Sequence, residues 1–337
     1  MTVIDSSPHT LPRPRRDWAP LVLVPLLALI ALPLIGSTST WVTLTAAGLA
    51  MGMIIFIMAS GLTLVFGLMD VINFGHGAFI SIGAYVAAAC ALPLMGWLQA
   101  DSLALNMMAL LVLIAAAMLV SGLIGYGFER VIITPVYGQH LKQILITVGG
   151  MIVIQQIIIV LWGPVQKSLA LPTAFRGSLV FGDVAIERYR LISVAIGLVV
   201  FAGMLIVLNR TKVGLLIRAG VENGEMVEAL GYHIRRLFVG VFMAGSALAG
   251  LGGVMWAFYR EALTPGMGME VLVLIFIVVI IGGLGSVGGC FIGALMVALT
   301  ANYAQFLEPK VALGSNILLM VLILLWRSRG LYPVAKR

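Results

Sequence analysis

The sequence predicts an all-α polytopic membrane protein of about ten transmembrane helices. Hydrophobic residues make up 61% of the 337 residues, only 10% are charged, and the mean hydropathy is +1.13. Several apolar runs reach the roughly 20 residues that an α-helix needs to cross the hydrocarbon core of a bilayer. The longest polar intervals, 163–189 and 209–236, are too short for a soluble domain. Any chemistry in water therefore has to come from another chain.

Ten apolar spans follow one another along the chain and define a transmembrane domain from 19 to 327. They are predicted at residues 19–36, 42–68, 74–97, 104–127, 143–162, 190–208, 237–259, 270–284, 288–306 and 314–327. Residues 1–18 and 328–337 are the two tails. The long second span and the glycine-rich region 282–293 are the candidates for a broken or re-entrant helix.

The distribution of Lys and Arg predicts which side of the membrane each loop faces. Ten crossings place both termini on one side, and most of the 20 basic residues lie in the tails, around residues 130–142, and in 209–236. Basic residues gather in cytoplasmic loops. We therefore expect both termini and the loop 209–236 to be cytoplasmic, and the loop 163–189 to be extracytoplasmic. The net charge of +7 reflects this topology and does not indicate a nucleic-acid partner.

The two cysteines and the N-terminal tail have ordinary explanations. Cys90 and Cys290 lie within apolar spans, where we expect core packing and neither a disulfide nor a metal site. The Arg-rich start precedes an apolar run as in a signal peptide, but no convincing cleavage site follows. We expect a cytoplasmic tail and a first span.

The outer loop 163–189 is predicted to be an ordered cap. It contains an alternating run at 178–181, and apolar side chains to bury at Leu169, Leu171, Phe175 and Phe181. Such a cap closes the outer mouth or receives a partner, and a simple connection is the alternative.

The cytoplasmic loop 209–236 is predicted to contain a helix from Glu222 to Leu230 that Gly231 ends in a left-handed conformation. At about 100° per residue, one face is acidic and the other apolar. The acidic face comprises Glu222, Glu225 and Glu228, and the apolar face Met226, Val227 and Leu230. A helix this short is unstable alone, so we expect it to dock on a partner. The alternative is a solvated helix resting on the protein's own surface.

A polar, glycine-rich turn lies between the second and third spans. Asp70, Asn73 and His76 recur every three residues, and Gly77 follows directly. Polar groups at membrane depth need a partner or water and are functional candidates, so we assign this turn to the translocation path or its gate. The alternative places Asp70 in cytoplasmic water, has Asn73 cap the third span, and bonds His76 to a backbone carbonyl.

A second glycine cluster, from Gly282 to Ala294, follows the eighth span much as the first cluster follows the second. Gly285 and Gly288 are our path or gate candidates there, and the similarity suggests an internal duplication. Ordinary helix packing by small residues is the alternative. Gln155 and Gln156 in the fifth span are candidates for hydrogen bonds between helices.

Several signatures of chemistry are missing from the sequence. It has no GxxxxGK[ST] phosphate loop, no HExxH, no convincing catalytic triad, and no intramembrane acid with a basic partner away from span boundaries. An ion-driven carrier commonly keeps such an intramembrane carboxylate. We expect no enzymatic activity, no bound cofactor or metal, and no means of energising transport within this chain.

The chain resembles the membrane permeases of branched-chain amino-acid ABC importers, the LivH/LivM type. The matching stretches are GLTLVFGLMDVINFGHGAFISIGAY (61–85), ERVIITPVYG (129–138), VGLLIRAGVENGEMVEALGYHIRRLFVGVFMAGSALAGLGGVM (213–255), GGLGSVGGCFIGALMVA (282–298) and RSRGLYP (327–333). They cover most of the chain after residue 41. Asn73, His76 and Gly77 then match the family's Asn-Phe-x-His-Gly turn. Glu228, Ala229 and Gly231 match the segment that docks as a coupling helix on the ATPase subunit.

The resemblance implies an ABC importer permease in the bacterial inner membrane. Its partners are two cytoplasmic ATPase subunits that use ATP and Mg²⁺, a second permease subunit, homologous or identical, and an extracytoplasmic substrate-binding protein. The chain departs from the family at Ala78, where many relatives have an acidic residue, and in its first span, which many lack. Relatives handle branched-chain amino acids, urea, short amides or other small organic acids. Branched-chain amino acids are our first choice, and a sugar permease or an ion-coupled carrier are the alternatives.

Overall fold

The computed structural model describes residues 18–222 and 224–332, without the side chains of residues 221–225 and 313. This part is largely helical. The helices are α1 (Ala19–Ile35), α2 (Thr38–Met69), α3 (His76–Ala91), α4 (Met95–Gln99), α5 (Leu103–Phe128), α6 (His140–Trp162), α7 (Arg188–Arg210), α8 (Lys212–Glu222), α9 (Gly224–Ala229), α10 (Ile234–Arg260), α11 (Met267–Gly282), α12 (Val287–Leu307) and α13 (Pro309–Trp326). The tails, predicted at 1–18 and 328–337, lie mostly outside the described residues.

Each predicted span overlaps one apolar helix. In the described chain, six helices are long and apolar enough to cross a membrane: α2, Leu103–Val136, α6, α7, α10 and α12. The second of these is α5 extended by a π-turn (Glu129–Ile133) and a 3₁₀ turn (Thr134–Val136). Four apolar helices are shorter: α1, α3, α11 and the Gly314–Trp326 part of α13. The number of ten crossings stays a prediction.

The core forms where α2 and α10 cross. In the most apolar window of α2, 78% of the residues are buried, against 17% in α6 and α7. The two helices approach closely because glycines face each other at the crossing. A Cβ on Gly245 would lie 2.7 Å from the carbonyl oxygen of Gly61. Gly252, further along α10, packs on Met58, which precedes Gly61 in α2. The two helices are therefore antiparallel, and α6 and α7 lie at the periphery.

Two segments of the chain have the same design. α2 is followed by Asp70 in a left-handed conformation (φ 53°), a short return, Gly75 as N-cap, and α3 of 16 residues. α10 is followed by Glu261 in the same conformation (φ 48°), a short return, Gly266 as N-cap, and α11, also of 16 residues. Within the described residues, Asp70 and Glu261 are the two non-glycine residues with positive φ.

The neighbours of the two segments correspond as well. α5 packs along α10 as α12 packs along α2, and α6 lies beside α3 as α13 lies beside α11. Since α2 and α10 are antiparallel, the two halves are inverted relative to each other. Inverted repeats with interrupted helices are common in transport proteins.

The duplication is therefore present, but the position predicted for its second copy is wrong. The counterpart of the turn DVINFGHG (70–77) is EALTPGMG (261–268), rather than the cluster 282–294. The glycines of that cluster form a tight turn between α11 and α12, with Gly283 and Gly285 at positive φ. α2 is a continuous helix, and the region 282–293 is the junction of two separate helices.

The segment 163–189 is the ordered cap that the sequence predicts. Two antiparallel β-ladders form at the end of the bundle where α10 ends. β1 (Lys167–Ser168) pairs with β4 (Ala262–Leu263), and β2 (Ser178–Phe181) with β3 (Val184–Glu187). Leu169 and Phe175 are buried as expected. Phe181 is not, being 67% exposed next to the hairpin turn.

Candidate functional site

The turn after α2 is held by backbone geometry and by one tyrosine. Asp70 is exposed, and its amide donates to the Phe66 carbonyl to close α2. The hydroxyl of Tyr137 donates to the Met69 carbonyl at 2.9 Å. Partial burial, with a smaller contribution from the charge of Asp70, raises the pKa of Tyr137 above its ordinary value, so the hydroxyl keeps the proton it donates.

After Asp70 the chain returns into the bundle instead of leaving it. His76 Nε2 donates to the carbonyl of Met58 at 2.9 Å. Met58 lies about three turns before the end of α2, so α3 begins roughly 16 Å from that end at 1.5 Å per residue. His76 is buried and bonded to a backbone carbonyl, as the alternative interpretation of the turn expects. Its position is compatible with a role in packing.

Asn73 occupies a different environment from the one that either interpretation expects. The side chain is 1% exposed, and neither its amide nitrogen nor its oxygen has a hydrogen-bond partner among the described residues. Asn73 does not cap α3, because Gly75 is the N-cap and no side chain accepts there. A buried amide without partners costs folding free energy.

The first turns of α3 and α11 meet inside the bundle. A Cβ on Gly77 would lie 2.6 Å from the carbonyl oxygen of Gly268. Ser81 Oγ accepts from the Gly268 amide at 3.0 Å and donates to the Pro265 carbonyl at 3.4 Å. The two short helices therefore point their N-termini, the positive ends of their dipoles, at the same interior region.

A small cavity lies at this junction, between α3, α6 and α11. Its volume is about 10 Å³, and Ser81, Gln155 and Pro265 are among the residues that line it. A cavity of this size holds about one water molecule. The junction is therefore closed in this conformation.

The predicted residues of the second glycine cluster have different surroundings. Gly285 (φ 81°) packs directly on Gly67 near the end of α2, so the structure does bring the two glycine clusters together. Gly288 has no atom within 4 Å of where a Cβ would stand. Neither residue contacts the junction of Gly77 and Gly268, although Gly285 lies at the end of the bundle that carries Asp70.

The loop 209–236 forms two helices, α8 and α9, in place of the single helix 222–230 that the sequence predicts. The backbone after α9 matches the prediction: Gly231 has φ 87°, its amide donates to Glu228, and the Tyr232 amide donates to Val227. These two bonds form a Schellman motif. Glu228 and Ala229 are exposed.

The predicted apolar face of this helix is only partly correct. Val227 is buried, whereas Met226 and Leu230 are exposed together with Glu228. The side chains of Glu222 and Glu225 lie outside the described residues. The exposed surface of α9 and of the residue that follows it thus combines an acid with two large apolar side chains, a composition suited to a protein partner.

Sequence reasoning found one half of the junction and missed the other. It singled out Asn73, His76 and Gly77, which lie together, but not Ser81 or Gly268. The missing half carries a signal: an acidic residue, four positions, then Gly-x-Gly, which occurs after both α2 and α10.

Comparisons with known proteins place the chain in a family. A sequence profile of the family described as branched-chain amino acid transport system / permease component matches residues 44–326. The chain belongs to this permease family. Its matched part contains the junction, the cap and α9, while α1 lies before it.

The alignments with three curated relatives cover most of this chain and most of each relative. The high-affinity branched-chain amino acid permease BraD of Pseudomonas aeruginosa is 29% identical over 294 residues, which is 84% of this chain and 93% of BraD. LivH of Escherichia coli K12 is 27% identical over 301 residues, covering 84% and 92%. A probable LivH of Methanocaldococcus jannaschii is 25% identical over 259 residues, covering 75% and 78%. No solved structure matches.

Proposed function

We propose that this chain is the transmembrane permease subunit of an ATP-binding cassette importer for branched-chain amino acids. The observation that carries the proposal is the family match over residues 44–326, with relatives whose names state this transport activity. The inverted pair of segments supports a transport mechanism, because the two short helices α3 and α11 begin inside the bundle and meet there.

In this proposal the chain is a multi-pass protein of the bacterial inner membrane with ten crossings. Both tails and the loop 209–236 are cytoplasmic, and the cap 163–189 is extracytoplasmic. The excess of Lys and Arg in the tails and in the loop 209–236 supports this orientation. It also places Asp70 and Gly285 at the cytoplasmic end and Arg260 at the outer end.

The proposed partners are two cytoplasmic ATPase subunits, a second permease, homologous or identical, and an extracytoplasmic binding protein. ATP and Mg²⁺ are used by the ATPases, and this chain binds neither. Glu222, Glu225, Glu228, Ala229 and Gly231 form the contact with the ATPase. The mixed acidic and apolar surface of α9 supports this assignment.

Closure of the ATPases on ATP would move α9 and, through it, the helices. Asn73, His76 and Gly77 would form the gate, with Asp70, Gly285 and Gly288 at its cytoplasmic side. The unpartnered amide of Asn73 and the small junction cavity fit one closed state of a two-state gate. Rigid helix motion would open the junction to each side in turn.

The decisive experiment is reconstitution of the permease in liposomes with its co-purified ATPases and binding protein. We expect uptake of leucine that requires ATP, together with leucine-dependent ATP hydrolysis. Uptake without ATPases, driven by an ion gradient, would replace the proposal with an ion-coupled carrier. ATP-dependent uptake of urea, short amides or a sugar in preference to leucine would overturn the assignment of the substrate.

A further inference from the structure

A second, larger cavity lies on the outer side of the junction. Its volume is about 450 Å³, within the range of small-molecule binding pockets, and α10, α11 and the cap segment line it. Exposed charged residues of opposite sign face it: Arg260 at the end of α10 and Glu270 in the first turn of α11.

The two charges are available to a ligand. In the described structure, neither the Arg260 guanidinium nor the Glu270 carboxylate forms an ion pair or a side-chain hydrogen bond. The ion pair found among the described residues joins Arg190 to Glu187. Both side chains are exposed, so each can exchange water for a charged partner. A cavity with one free cation and one free anion favours a ligand that carries both charges.

The remaining walls of this cavity are suited to an apolar side chain. Trp256, Val271 and Leu274 line it, and the indole of Trp256 stacks on Tyr259 with ring centroids 5.6 Å apart. Thr264 adds a hydroxyl.

The cavity is separated from the interior junction by one short piece of chain. Thr264, Met267 and Glu270 face the large outer cavity, while Pro265 and Met269 face the small inner one. The return after α10 and the first turn of α11 are therefore the wall between the two spaces. A ligand in the outer cavity would therefore contact the segment that also lines the small inner cavity.

We propose that the cavity lined by Arg260, Glu270 and Trp256 is the site that receives a zwitterionic, apolar amino acid before translocation. Arg260 binds the α-carboxylate, for which a guanidinium offers two parallel donors. Glu270 binds the α-ammonium, and Trp256 with Val271 and Leu274 contacts the side chain. The proposal rests on the proposed function and narrows it, because urea and short amides lack both charges.

The test measures ligand protection of a cysteine in the reconstituted complex. Thr264→Cys is alkylated with a membrane-impermeant maleimide, and the rate is corrected for the wild type, in which Cys90 is half-buried and Cys290 buried. We expect leucine to slow alkylation. Isoamylamine and 4-methylpentanoate should require concentrations roughly 10- to 100-fold higher, because each lacks one of the two charged groups. Urea, which lacks both charged groups, should protect less than either. Gln166→Cys, also in the lining, replaces Thr264→Cys if that variant does not assemble.

Two pairs of variants complete the design. Arg260→Gln and Glu270→Gln should each weaken protection by leucine roughly 10- to 100-fold. The controls Lys310→Gln and Glu261→Gln remove exposed charges that do not line the cavity and should retain protection. Full protection in both pocket variants, or equal protection by urea, would overturn the site.

Failure of this site can be told apart from failure of the proposed function. ATP-dependent leucine uptake is measured with the wild type in the same liposomes. Normal uptake without any protection by leucine would overturn the site alone. Absent uptake would overturn the function on which the site rests.

Discussion

Gly77 and Gly268 touch backbone to backbone at the point where two short helices of an inverted repeat begin. Neither residue has room for a side chain: a Cβ on Gly77 would lie 2.6 Å from the Gly268 carbonyl oxygen, and a Cβ on Gly268 would overlap the carbonyl oxygen of Gly77. The contact joins the first turn of α3 to the first turn of α11. The start of each short helix is thus held against the start of the other, in addition to the packing of α2 on α10.

Gly268→Ala should destabilise the permease by about 1–3 kcal/mol, because the added methyl forces two backbones apart. The measurement is thermal unfolding of the purified complex, monitored by size-exclusion chromatography after heating. Gly288→Ala is the matched control, since nothing lies within 4 Å of the Cβ it would add. Equal stability of the two variants would show that the junction yields easily and that the glycines are not needed for close contact.

Asn73→Leu should raise the thermal stability of the complex while lowering leucine uptake. The Asn73 amide is buried without a partner in the described structure, and an apolar side chain of similar size removes a cost of about 1–3 kcal/mol. The change also removes the group that we assign to the gate. Stability is measured by thermal unfolding and function by ATP-dependent uptake in liposomes.

Asn106→Leu is the opposite control for this change. Asn106 is equally buried, but its amide donates to the carbonyls of Trp97 and Ala100 at 2.9 Å and accepts from the Ala174 amide at 2.9 Å. Its replacement should destabilise the complex. If both variants lost stability, Asn73 would have a partner such as an ordered water, and its role would be structural.

Hydropathy was sufficient to locate the apolar helices, because a span has to be apolar whatever its neighbours are. Local rules were sufficient for the left-handed Gly231, since helix ends are decided by nearby backbone bonds. They were insufficient for the depth of α3. Nothing near His76 in the sequence indicates that it reaches the Met58 carbonyl, because that contact depends on how far the chain returns into the bundle.

The same limit explains the misplaced duplication and the missed outer cavity. Closely spaced glycines are shared by the two clusters, whereas the feature that repeats in the structure is an acidic residue in the left-handed conformation, a short return and a capping glycine, as at Asp70 and Glu261. Glu270 and Arg260 look like ordinary boundary charges in the sequence. They become a candidate site only when the return after Arg260 brings the start of α11 beside the end of α10.

Glu228→Arg should uncouple the permease from its ATPases. Glu228 is exposed on α9, so the change reverses a charge on the proposed contact. We expect less co-purified ATPase and a matching loss of ATP-dependent uptake, with normal insertion into membranes. Asp183→Arg, an exposed acid in the hairpin turn of the cap, should leave co-purification unchanged. Unchanged co-purification and uptake in Glu228→Arg would contradict the coupling assignment.

Ser81→Ala removes only one oxygen atom, but it should destabilise the start of α11. Ser81 Oγ is the acceptor for the Gly268 amide, one of the first amides of a helix, which have no partner within the helix itself. Loss of that acceptor leaves a buried donor unpaired, at a cost of about 1–3 kcal/mol. Ser60→Ala is the control, because Ser60 Oγ is equally buried but donates to the Ile57 carbonyl of its own helix. Hydrogen exchange of the amides around Gly268 should therefore accelerate in Ser81→Ala and not in Ser60→Ala. Slow exchange in both would mean that the interface of Gly77 and Gly268 holds the helix start without the hydroxyl.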